Sequence, residues 1–232
     1  MTAQINDVFL YQGKAYSVTG FSAGEPFDPH ALGMSPQGID TACWRGYQVS
    51  YGLDGARLLV IGLGVNLVVD TKDYHRVEGP IIDGVSPIEE TSEHPWFNNN
   101  YLHLHYPLSY SGGLLIGDDF MEEFYEHMGF QDAWKYRELL EMKFSDGWLT
   151  ETIDHTSTVA EIQAIASIQQ QELNKMYVQL REAKQSGQEE LFEQIRDKIK
   201  ARSAKPPQGK DYDEQIRERV RKAFDRGYHV NL

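Results

Sequence analysis

The densest set of groups able to bind a metal or move a proton lies between Tyr101 and Asp154. It comprises His103, His105, Asp118, Asp119, Glu122, Glu123, Glu126 and His127. On a strand, residues i and i+2 point the same way, so His103 and His105 could chelate one ion with a nearby carboxylate. That arrangement defines one functional reading, a metal-dependent hydrolase using His103, His105 and nearby carboxylates. The same spacing is also what a half-exposed strand shows, because Leu102, Leu104 and Tyr106 alternate with the two histidines. No third ligand follows at a diagnostic spacing, and the reading assigns no metal, no cofactor and no catalytic residue.

The carboxylates have a different pattern. Asp118 to Gly129 predicts a short helix, with Asp118 or Asp119 as its cap and Gly129 as its stop. Phe120, Phe124 and Met128 then form an i, i+4, i+8 stripe toward a core. Glu122, Glu123, Glu126 and His127 fall off that stripe. Two carboxylates act as acid and base only when burial or pairing drives their pKa values apart, and an exposed face provides neither. Glu122, Glu123 and Glu126 therefore read as a solvated acidic surface that can dock a basic partner.

Other catalytic patterns are missing from the sequence. There is no Gly-x-Ser-x-Gly elbow, no phosphate loop and no His-Glu-x-x-His pair. Gly62-Leu-Gly64 lacks the third glycine of a dinucleotide fingerprint, and strand rather than helix continues after it, leaving no helix N-terminus for a pyrophosphate. Cys43, the single cysteine, precedes a strand and reads as packing. A free thiol and the absence of a signal-like apolar run near the N-terminus predict a reducing, cytoplasmic setting. No stretch approaches the roughly 20 apolar residues of a membrane span.

The elements that position these groups fall into two compositional parts. Residues 156–232 hold 14 Lys/Arg against 12 Asp/Glu, which leaves 8 against 23, a net −15, for residues 1–155. The first part is rich in aromatics and glycine, the second in Gln, Glu, Lys and Arg. The predicted fold is thus α+β. An acidic, antiparallel β-rich domain with one short helix occupies 1–155, and a charged helical region occupies 156–232.

Within the first part, Gln12-Gly13 and Asp54-Gly55 each predict a hairpin turn. Trp134 to Leu149 repeats the order Trp, Tyr, strand, Asp-Gly, strand seen from Trp44 to Leu63, and the favoured reading is two ordinary hairpins. Ala23 to Thr41 is a Pro- and Gly-rich loop, and Thr71 to Asn100 is a long excursion anchored by Trp96 and Phe97.

In the second part, Thr158-Val-Ala-Glu161 matches a capping box that opens a helix ending at Ser186-Gly187. Leu191, Ile195 and Ile199 line a second helix, antiparallel to the first. After Pro206-Pro207, Tyr212, Ile216, Val220 and Phe224 repeat at i+4 on a terminal helix. Acids interleave with its basic residues, which disfavours nucleic acid. These stripes need burial against each other, a second copy or another protein. The leading expectation is a non-enzymatic protein-binding protein, of inhibitor, immunity or adaptor type. It would act through Glu122, Glu123 and Glu126 and through Tyr212, Ile216, Val220 and Phe224.

Overall fold

The computed structural model describes residues 2–69, 75–90 and 95–203. It is a mixed α+β protein with a large β-sheet and a helix of 30 residues. The chain divides into two compact units, one running to Thr156 and the other starting at Ser157. No helix among the described residues is long and apolar enough to cross a membrane.

The strands of the first unit are β1 (Val8–Tyr11), β2 (Lys14–Phe21), β3 (Tyr47–Asp54), β4 (Arg57–Val65), β5 (Asn99–Pro107), β6 (Gly112–Phe120), β7 (Tyr136–Ser145) and β8 (Trp148–Asp154). They pair in the order β3-β1-β2-β6-β7-β8-β4-β5, and β3 also pairs with β4. Seven strands therefore close a ring, and β5 is added to β4 outside it. Every strand pair is antiparallel except β1 with β3.

Two seams of this ring are short. β1 meets β3 at Val8↔Ser50 and Phe9↔Tyr51, and β4 meets β8 at Arg57↔Trp148 alone. The ring is thus a β3-β4-β5 sheet joined through β3 and β4 to the two edges of a β1-β2-β6-β7-β8 sheet. Phe9, Val49, Tyr51, Val60, Leu114 and Ile116 fill the space between them and are fully buried. Each seam is reinforced by an arginine. Arg45 bonds Asp7 beside the first, while Arg57 donates to the Asp146 carbonyl and lies 5.3 Å from the Trp148 ring at the second.

Tight turns appear where residues tolerating positive φ were expected. Gln12 and Gly13 (φ 51° and 78°) join β1 to β2, and Asp146 and Gly147 (φ 46° and 76°) join β7 to β8. The β3–β4 turn differs by one residue. Asp54 pairs with Arg57, so the loop is Gly55-Ala56. The two Asp-Gly pairs therefore occupy different positions in their turns.

Three local expectations need correction. Asp118–Gly129 is not a helix: β6 continues to Phe120, which pairs with Tyr136, and only Glu122–Phe124 forms a single 3₁₀ turn. The residues of the expected stripe are divided among separate contacts. Phe120 packs on Tyr136 and Phe124 on Trp134, at 5.2 and 5.1 Å between ring centroids, and Met128 is more than half exposed. Tertiary packing overrides the local periodicity.

In β5, His103 adopts φ 58°, and the register against β4 slips between Gly62↔Leu102 and Val60↔Tyr106. A bulge thus interrupts the alternation that would have set His103 and His105 side by side. Finally, the long helix starts at Thr156 rather than Thr158. The Asp154 carboxylate accepts from the Thr156 amide at 2.8 Å, a local side-chain bond that fixes an earlier start than the capping box suggests.

The second unit contains α1 (Thr156–Gln185) from Ser157 onward and α2 (Glu189–Ser203). Gly187, at φ 68°, ends the first helix, with the Gln188 amide donating back to the Ala183 carbonyl. Ala183, Ile195 and Ile199 form a small buried cluster with Leu173, Met176, Leu180 and Phe192 packed around it.

Candidate functional site

The acidic residues singled out from the sequence remain at the surface but not on one helical face. Glu122 and Glu123 lie on the 3₁₀ turn, exposed. Glu126 accepts from buried Lys135 at 3.1 Å. Gln131 holds Glu126 from the other side, accepting from its amide and donating to its carbonyl. Glu123 sits 3.9 Å from Arg137, which also pairs with Asp119. The expected acidic patch is therefore partly neutralised by the protein's own cations. Tyr212, Ile216, Val220 and Phe224 lie outside the described residues.

His105 lies 3.3 Å from Asp54, both exposed, and no group of three His, Cys, Asp or Glu side chains among the described residues has the geometry to hold a metal. Cys43 is buried and donates to the Tyr47 carbonyl at 3.3 Å. Burial pushes its thiol pKa up, away from the reactive thiolate.

A different constellation gathers beside the β1–β3 seam. Parallel pairing sets Asp7, just ahead of β1, against the start of β3. Its carboxylate there accepts from the Val49 amide at 2.7 Å and, through both oxygens, from the Arg45 guanidinium. Arg45 lies 4.6 Å from the Tyr47 ring and 5.8 Å from Phe130, and Glu25 is 3.5 Å away. The Tyr47 hydroxyl donates to Glu25 at 2.6 Å. The fully buried Tyr51 hydroxyl makes no hydrogen bond.

Burial raises the Asp7 pKa against the opposing pull of Arg45, and it pushes Tyr51 well above its usual value. Burial also works against the Arg45 charge, but Asp7 and Glu25 outweigh it and hold the guanidinium charged. Both Asp7 oxygens and the outer guanidinium nitrogens are engaged with one another. The centre works as a clamp that fixes the 22–46 loop to the sheet.

What the clamp positions is Trp44. Its neighbour Arg45 is held by Asp7, its own amide donates to Gln4 at 2.8 Å, and its side chain remains 54% exposed. Trp96 has a parallel arrangement. Its neighbour Phe97 is buried over Gly64, while the Trp96 carbonyl accepts from Asn66 at 3.1 Å, and its side chain is also 54% exposed.

Asn66 connects the two places. Its amide donates to the Gly46 carbonyl and its carbonyl accepts from the Gln37 amide, both within the loop that carries Trp44. Its side chain bonds the Trp96 carbonyl and the Asn98 amide, at 3.1 and 3.0 Å. The Asn98-Asn-Asn100 run extends this network. Asn98 bonds both the amide and carbonyl of Leu67, and Asn99 accepts from Gly79 and Arg76 while donating to Val77. The excursion is anchored in this way by Phe97 and the asparagines, whereas Trp96 is displayed.

Sequence reasoning missed this region because its residues are distant along the chain. The Trp-Arg and Trp-Phe pairs were the available local signals, each a displayed ring beside a clamped neighbour. No protein-family model matches the chain, and neither the curated proteins nor the solved structures contain a significant match to it.

Proposed function

We propose that this is a non-enzymatic protein-binding protein whose acidic β-rich unit presents the partner surface. The observation that carries this reading is the paired display of Trp44 and Trp96. Each is half exposed while its neighbour in sequence is locked, so little loop freedom is lost when a partner covers it. Tryptophan is the residue type most enriched among interface anchors. The surface at Glu122 and Glu123 is a secondary contact in this reading. The C-terminal helices, read as a helical hairpin followed by a terminal helix with Tyr212, Ile216, Val220 and Phe224 on one face, supply self-association or a second contact.

The test is capture of partners from cells of the source organism by immobilised full-length protein, followed by mass spectrometry. Proteins retained by the wild type and lost with a Trp44→Ala, Trp96→Ala double variant support the reading. Trp148→Ala serves as the control, because Trp148 is equally exposed but belongs to the β4–β8 seam. Retention that is unchanged in the double variant refutes it.

A further inference from the structure

Resting on that reading, we propose that the segment docking at Trp44 and Trp96 is an arginine-rich stretch of the partner protein, with guanidinium groups lying over the two indole faces.

Charge at this surface favours a cationic partner. The two segments that carry the tryptophans display six exposed carboxylates, Asp28 and Asp40 on one and Glu78, Asp83, Glu89 and Glu90 on the other. Their described arginines are Arg45 and Arg76, and both are already engaged. Arg45 bonds Asp7, while Arg76 donates to the Asn98 carbonyl and the Asn99 side chain and lies 3.6 Å from Glu89. Acids outnumber bases among the described residues of both segments, so the net charge at this surface is negative, within a part of the chain that carries a net −15. It attracts cations and repels phosphate backbones.

The aromatic rings differ in whether a cation already covers them. Trp148 already has the Arg57 guanidinium 5.3 Å from its ring, and Tyr47 has Arg45 at 4.6 Å. No cation among the described residues lies over Trp44 or Trp96. Tryptophan offers the strongest cation–π face of any side chain, and arginine, being planar and weakly hydrated, stacks on it better than lysine. An anionic surface with two displayed indoles thus matches arginine specifically, rather than positive charge in general.

The experiment is a fluorescence-anisotropy titration of the full-length protein with a labelled peptide of alternating arginine and serine. Peptides carrying lysine or glutamine in place of arginine are run beside it, at about 50 and about 300 mM salt. The arginine peptide is expected to bind, the lysine peptide several-fold more weakly and the glutamine peptide not at all. Losing two exposed cation–π contacts should weaken arginine-peptide binding by about tenfold in Trp44→Ala, Trp96→Ala. Trp148→Ala should leave it unchanged, and cooperative thermal unfolding of each variant establishes that it is folded. Equal affinity for arginine and lysine peptides, or affinity insensitive to the double substitution, overturns the proposal in favour of diffuse attraction to an acidic protein. If the peptide ignores the tryptophans while native capture still requires them, the arginine assignment fails and the protein-binding reading survives. If neither requires them, both fail.

Discussion

Phe97 packs directly over Gly64, so that a Cβ built on the glycine would lie 2.8 Å from Cγ of the ring. The absence of a side chain near the end of β4 is what allows the excursion to be pinned there. The same device recurs at Gly117, where a Cβ would fall 2.6 Å from Cγ of Tyr136.

Gly64→Ala should therefore destabilise the first unit by about 1–3 kcal/mol through overpacking. The effect should be less than additive with Phe97→Ala, because the second change removes the atoms that clash. Chemical denaturation of the two single variants and the double variant measures this. Strict additivity would show that the ring and the glycine are not coupled.

Asp7→Ala should cost about 3–5 kcal/mol, since it leaves the Arg45 guanidinium partly buried with only Glu25 near it. Replacing Asp7 and Arg45 together by apolar residues should recover much of that loss. Urea denaturation followed by tryptophan fluorescence distinguishes the two outcomes. A single variant as stable as the wild type would mean that the pair is not a clamp.

Lys14 bridges Asp118 and Glu138, and its hydrogen bonds hold both carboxyls below their ordinary pKa values. Carboxyls whose folded pKa is depressed add stability that is present above about pH 4 and is lost as pH falls through the lowered values. Asp7, with its raised pKa, has the opposite sign, and its contribution is lost as pH rises. Lys14→Met should thus flatten the decline of the thermal midpoint below about pH 4. An unchanged acid limb would remove Lys14 from the account.

Asn99→Ala deprives the Gly79 amide, the Val77 carbonyl and Arg76 of a shared partner. A cost of about 1–3 kcal/mol is expected for groups left unsatisfied. Protease cleavage within residues 75–90 should also accelerate more than cleavage elsewhere. Uniform acceleration across the chain would show that Asn99 supports the whole unit rather than the excursion.

The turns were legible in the sequence because Gln12-Gly13 and Asp146-Gly147 state a local requirement, positive φ at two successive residues. The α+β class was legible from the change in composition near residue 156. The short helix at Asp118 was misread because Phe120, Phe124 and Met128 keep helical spacing while their ring partners Tyr136 and Trp134 come from the following segment. The bulge at His103 has no local marker, as His103 and His105 alternate like any strand residues. The clamp was invisible for a related reason: Asp7 and Arg45 are 38 residues apart, and only the β1–β3 pairing makes them neighbours. Trp44 and Trp96 stand out as residue types, but their shared attachment to Asn66 depends on that same topology.

The short seams make the barrel a pair of jaws. One jaw is β3-β4-β5 and the other β1-β2-β6-β7-β8, and along each line of closure the backbone pairing covers one or two residues. Both lines are fastened by a side chain, Arg45 with Asp7 on one and Arg57 with the Asp146 carbonyl on the other. Opening the molecule along either line breaks few ladder bonds, whereas opening any other pair of strands breaks a longer ladder. Partial opening should thus begin at the arginines, with each jaw intact, and slow hydrogen exchange should persist longest inside the jaws. It also follows that the two arginines govern how readily the barrel yields, independently of how well its core is packed.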